Sequence, residues 1–133
     1  MATEPEQPRP TISTHVLDTE RGVPAAGVHV TLYRIAGGKQ PVRMTQALTD
    51  VDGRVRDLLE RPLVAGDYRL EFSLAPLSGD GAAATGDGRV ADGNGERAFF
   101  RRLAVDLRIT DVGRSYHVPL LLSSYGMTTY RGS

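Results

Sequence analysis

Few side chains in this sequence can move a proton near neutral pH. The chain holds three histidines and no cysteine, which excludes thiolate nucleophiles, disulfides, iron–sulfur clusters and cysteine zinc sites. Proton transfer therefore falls to imidazoles, whose ordinary pKa is about 6.5. His15 stands in Ser13-Thr14-His15-Val16-Leu17-Asp18, on a face with Ser13 and opposite Ile12, Thr14 and Val16. His117 stands in Tyr116-His117-Val118-Pro119-Leu120, where Tyr116, Val118, Leu120 and Leu122 belong inward and His117 outward. Taken alone, His15 is better read as an exposed strand histidine with no duty, the same reading is reasonable for His117, and His29, between Val28 and Val30, is read as a surface residue.

A charged donor comes next. In Asp50-Val51-Asp52-Gly53-Arg54 the Asp-Gly step favours a tight turn, because glycine accepts positive φ and aspartate bonds nearby backbone. Arg54 is thus presented at the mouth of a strand, either merely flanking the turn or offering a planar fork of donors to an oxyanion. A calcium loop fails here: glycine falls fourth and Arg61 twelfth, where an EF-hand needs glycine sixth and glutamate twelfth. The last residues, Thr128-Thr129-Tyr130-Arg131-Gly132-Ser133, directly follow an alternating segment. Such an end is expected to be docked, bringing a hydroxyl, a carboxylate and an arginine into one neighbourhood; the plainer reading is a short solvated tail.

The elements that must position these groups are strands. Val28, Val30 and Leu32; Tyr68, Leu70, Phe72 and Leu74; and Leu103, Val105, Leu107 and Ile109 each alternate with polar or small residues, the period of half-buried strands. Adding 11–18, 41–49, 54–58, 116–123 and 127–131 gives about eight short strands, an antiparallel sandwich. With Gly 15 and Pro 8 in 133 residues, turns are frequent, and at most one short helix is expected. Residues 78–97 hold six glycines and three aspartates with almost nothing to bury, and read as a mobile surface loop. Their unevenly spaced aspartates fit no calcium repeat, and Gly93-Asn94-Gly95-Glu96-Arg97-Ala98 has neither the preceding strand nor the following helix of a dinucleotide fingerprint.

Composition narrows the function classes. One domain is expected from 133 residues, with residues 1–10 an acidic, Pro-rich tail and 11–133 the sandwich. Lys+Arg 16 balances Asp+Glu 16, so the basic field that holds a phosphate backbone is missing and nucleic acid is not an expected partner. The longest apolar run, 118–122, is far short of the roughly 20 residues that span a bilayer, and the first ten residues lack a secretory pattern. The expectation is a cytoplasmic protein with no membrane segment.

Together these pieces resemble the transthyretin-like family, specifically its enzymatic branch, which hydrolyses 5-hydroxyisourate. The resemblance is carried by Ser13-Thr14-His15-Val16-Leu17-Asp18 with Gly22 and Pro24-Ala25; Thr49-Asp50 with Asp52-Gly53-Arg54; and Gly66-Asp67-Tyr68-Arg69. Phe99-Phe100, Tyr116-His117-Val118-Pro119-Leu120-Leu121-Leu122-Ser123 and the terminal Thr129-Tyr130-Arg131-Gly132-Ser133 complete it. It covers 11–133 apart from about 76–98.

The resemblance implies an eight-stranded transthyretin-like (prealbumin-like) sandwich, a dimer joined edge to edge, and two dimers stacked as a homotetramer with active sites at the dimer–dimer interface. It implies the catalytic set His15, Arg54, His117 and Ser133, with Tyr130, Arg131 and Gly132 completing the signature and, with Arg54, binding substrate. No metal or cofactor is expected. Two departures stand out: Met127 sits where an aromatic is usual, with an effect expected on pocket packing, and the region of the family's short helix is expanded into the Gly/Asp-rich stretch. The implied reaction is lactam ring opening by water, giving 2-oxo-4-hydroxy-4-carboxy-5-ureidoimidazoline in urate degradation. His15 and His117 would share water activation and proton delivery, Arg54 would clamp oxygens, and Ser133 would orient water or substrate. The competing reading is a non-enzymatic small-ligand carrier, or an adhesin-type module, since a sandwich by itself hosts many functions.

Overall fold

The computed structural model describes residues 9–74 and 99–132; the expected 78–97 loop, most of the N-terminal tail and Ser133 lie outside them. Ten strands are formed among the described residues: β1 (Ile12–Asp18), β2 (Val23–Pro24), β3 (His29–Ile35), β4 (Val42–Leu48), β5 (Arg54–Val55), β6 (Gly66–Ser73), β7 (Arg102–Ile109), β8 (Tyr116–His117), β9 (Leu120–Ser123) and β10 (Gly126–Thr129). The all-β expectation holds, with no helix among these residues. No helix there is long and apolar enough to cross a membrane.

Two sheets enclose one core. One runs β4-β3-β6-β7, and the other runs β10-β9-β1-β2, with β5 and β8 also paired to β1. Strand alternation explains the packing, because side chains of period two go to opposite faces. In β1, Ile12, Thr14, Val16 and Asp18 are buried while Ser13, His15 and Leu17 are half-buried on the outer face. Leu120 and Leu122 of β9 face inward with them, against Val30 and Leu32 of β3 and Tyr68, Leu70 and Phe72 of β6. Fully burying a side chain of this size contributes roughly 1.5–3 kcal/mol. Leu58, Leu59 and Leu63, from the irregular segment after β5, complete the cluster.

Four expectations are refined. The strand expected over 54–58 ends at Val55, because the Asp57 carboxylate takes the amides of Leu59 and Glu60 and turns the chain. The strand expected over 116–123 is interrupted at Val118-Pro119, since proline has no N–H to give a ladder. Register survives the break: Ile12 faces Tyr116, Ser13 faces His117 and Val16 faces Leu120. Hydroxyls hold the gap, Thr14 Oγ1 donating to the Val118 carbonyl (2.6 Å) and Thr129 Oγ1 to that of Pro119 (2.7 Å). Counting β8 and β9 as one strand and leaving aside the two-residue β2 gives the expected eight. The sandwich is antiparallel except where β1 meets β8 and β9 in parallel, because the chain between them passes through the other sheet. Finally, Thr31, which strand alternation sets opposite Val30 and Leu32, is nevertheless buried and accepts a hydrogen bond from Gln46 Nε2 at 3.2 Å.

Candidate functional site

Strand β1 gathers the site. His15 is the register partner of Arg54 on β5, and Ser13 is that of His117 on β8. Register partners project to the same side of a sheet, and His15 is two residues from Ser13. All four side chains therefore leave the outer face of the β1 sheet, away from the core, although they come from three places in the sequence.

Local chemistry explains each position. The Asp50 carboxylate accepts the amides of Asp52 (2.8 Å) and Arg54 (3.0 Å), shaping the turn into β5. Those bonds, the Arg54 amide first, lower the Asp50 pKa from its ordinary value. Gly53 has φ 77°, and a Cβ there would fall against the Val16 carbonyl oxygen. Glycine is thus required both for the backbone angle and for the approach that lets Val16 N donate to the Gly53 carbonyl at 2.7 Å. That bond pins the turn to β1 and places Arg54 beside His15.

His117 is held on two sides. Its Nδ1 lies 2.8 Å from Ser13 Oγ. Its backbone forms an isolated antiparallel bridge with Gly132, whose N–H donates to the His117 carbonyl at 2.7 Å. A Cβ on Gly132 would lie 2.9 Å from His117 Cδ2, so only glycine lets the terminal segment run flat beside the ring. The His117 pKa is lowered, first by burial, then by the positive Arg54 and by His15. The site thus presents a neutral imidazole near pH 7, a guanidinium and a second imidazole. Such a set can activate water, polarise a carbonyl and return a proton. No metal-ligating cluster of His, Asp and Glu forms among the described residues.

The other expected site residues are placed differently. Tyr130 and Arg131 line a cavity of about 270 Å³ at the edge between the two sheets, with Val105, Leu107 and Tyr116 among its walls. The Arg131 guanidinium lies 5.0 Å from the centre of the Tyr116 ring, and Tyr116 is buried. Gly132 meets His117, and Tyr130 and Arg131 line the cavity at the sandwich edge. Met127 packs against the core, not on the histidine face. His29 belongs to β3 in the other sheet, and it is half-buried with a pKa lowered by burial, not a fully exposed surface residue. Sequence reasoning places Ser13 only as a companion of His15, and the signal that marks it is parity with His15, two residues away.

The sequence profile of the HIUase/Transthyretin family matches residues 12–132. The chain belongs to that family. The HIUase/transthyretin match includes every described residue of the face. A 5-hydroxyisourate hydrolase of Caulobacter vibrioides is 39% identical over 122 residues, covering 92% of this chain and 97% of the relative. Among solved structures, a 5-hydroxyisourate hydrolase of Klebsiella pneumoniae superposes with TM-score 0.67 at 32% identity, covering 93% of this chain and 99% of the other. Transthyretin of Sparus aurata superposes with TM-score 0.71 at 25% identity, covering 93% and 97%. Fold similarity is thus shared by enzyme and transthyretin, and only the side chains of the site separate the two readings.

Proposed function

We propose that this protein hydrolyses 5-hydroxyisourate, and the observation that carries the proposal is the convergence of His15, Arg54 and His117 on one outer face. Similarity to proteins named for that activity supports it. Water adds to the ring carbonyl of the lactam, the C–N bond breaks, the carbonyl carbon becomes a carboxylate, and the freed nitrogen takes a proton. The product is 2-oxo-4-hydroxy-4-carboxy-5-ureidoimidazoline. The two histidines share removal of the proton from water and its delivery to the leaving nitrogen, help worth roughly 10²–10⁴ in rate. Arg54 meets the charge that grows on the carbonyl oxygen with paired donors, which a lysine ammonium cannot reproduce. Ser133 orients water or substrate, and Tyr130, Arg131 and Gly132 shape the surroundings.

The assembly belongs to the same proposal. Among the described residues, strands β7 and β10 end their sheets, and residues from β7 and the chain after β10 line the same edge cavity. Unpaired edges of this kind invite a second strand, so a second copy would extend both sheets and cover the cavity. Two such dimers stacked on their outer faces would enclose the His15/His117 surface in a homotetramer.

The test is to generate 5-hydroxyisourate from urate with a urate oxidase and follow its ultraviolet decay with and without the protein. Accelerated decay with wild type, abolished in His117→Ala, is expected. A folded wild-type protein that leaves the decay unchanged would overturn the proposal and favour the carrier reading.

A further inference from the structure

Resting on that reading, we infer that Ser13 is a positioning residue: its hydroxyl oxygen accepts the Nδ1 proton of His117 and so turns an unprotonated Nε2 toward the substrate. The geometry is specific. Ser13 Oγ lies 2.8 Å from Nδ1, within the range of a good hydrogen bond, and backbone pairing fixes the two residues as register partners. A second backbone contact repeats the constraint, since Val118 N donates to the Ser13 carbonyl at 2.9 Å. On the other side, Gly132 lies against Cδ2. With Nδ1 engaged and the Cδ2 edge packed, Nε2 is the nitrogen left for chemistry.

A neutral imidazole carries its proton on one nitrogen, and the partner of one nitrogen sets the role of the other. A serine hydroxyl can accept or donate, so the wider field decides. The fixed charge acting on His117 is the Arg54 guanidinium, which makes the face positive. A positive face favours a lone pair over an N–H dipole pointing outward, and this selects the form protonated on Nδ1. His117 then serves as the base toward water, leaving His15 the proton delivery.

Three variants and one spectrum test the assignment. Ser13→Val removes the hydroxyl and puts a β-branched strand former in its place, Ser13→Thr is its β-branched counterpart with the hydroxyl, and Ser13→Ala removes the hydroxyl without added bulk. In the 5-hydroxyisourate decay assay, kcat is expected to fall about tenfold in Ser13→Val and Ser13→Ala, with KM within about twofold, as for loss of a term acting in the transition state. Ser13→Thr should recover most of kcat. Wild-type turnover in Ser13→Val, or a folded Ser13→Thr as slow as Ser13→Val, would overturn the assignment. Independently of turnover, long-range 1H–15N correlation of the imidazoles at neutral pH should find the His117 proton on Nδ1 in wild type. A proton on Nε2 would overturn it even if every variant were slow. A wild-type protein without turnover would instead refute the hydrolase reading, and the spectrum would still decide the role of Ser13.

Discussion

Replacing Gly53 should separate backbone strain from close approach, because the molecule supplies its own control. Gly53 has φ 77° and Gly27 φ 78°, so alanine meets nearly the same left-handed penalty at both, about 1–2 kcal/mol. Around Gly27 nothing lies within 4 Å of an added Cβ. At Gly53 the Cβ is driven against the Val16 carbonyl oxygen, with Pro24 Cβ at 3.1 Å and the Ala25 nitrogen at 3.2 Å. Relief requires the turn to move off β1, breaking Val16 N–H to Gly53 O (2.7 Å) and weakening Ala25 N–H to Val16 O (2.9 Å). At about 1 kcal/mol net for each bond, the expected loss is about 3–4 kcal/mol for Gly53→Ala against about 1–2 for Gly27→Ala. Taking about 4 °C per kcal/mol for a domain of this size, Tm should fall by about 12–16 °C and about 4–8 °C respectively. Calorimetry at one fixed protein concentration measures both, since assembly makes Tm concentration-dependent. Arg54 moves with the turn, so kcat/KM should fall about a hundredfold in Gly53→Ala, as for a displacement of about 1 Å, and stay near wild type in Gly27→Ala. Equal Tm losses in the two variants would refute the argument that close packing against β1 holds Arg54 in place.

Further outcomes follow from the site. His15→Ala and His117→Ala should each lower kcat by about 10²–10⁴ while sedimentation shows the same assembly state as wild type, and Arg54→Lys should also fail, its point charge lacking the paired donors. Gly132→Ala should cut kcat by about tenfold through displacement of the His117 ring with Tm changed by only a few degrees, read by turnover and calorimetry together. NMR titration of His117 should give an inflection below the ordinary value of about 6.5, so the neutral base persists as pH falls through that value and is lost only further down. In Arg54→Gln the inflection should move up, since one cause of the lowering is gone, and no movement would count against the placement of Arg54. For His29, burial lowers the folded pKa, so the unfolded chain protonates first as pH falls. Its stability contribution is complete above about 6.5 and declines below it, and His29→Asn should flatten that part of a denaturation-versus-pH curve.

Much of this was legible along the chain. Apart from the buried Thr31, alternation in 12–18, 28–32, 68–74 and 103–109 determined which residues turn toward the core, because a pleated strand leaves only two faces and water selects between them. The Asp-Gly step marked the turn before Arg54 through glycine's backbone freedom, while the carboxylate that shapes it is that of Asp50, two residues earlier. The same parity set His15 and His117 outward. What alternation does not carry is which strands neighbour one another, and there tertiary structure decided. The parallel pairing of β1 with β8, across 104 positions, puts Ser13 Oγ on His117 Nδ1, and the pairing with β5 puts Arg54 beside His15. The resemblance groups Tyr130 and Arg131 with Gly132 and the histidines, and the structure shows both lining the cavity at the edge between the sheets. Local patterns assign a side chain to a face; only the long-range hydrogen-bond register, set by closing two sheets over one core, determines which side chains on that face meet.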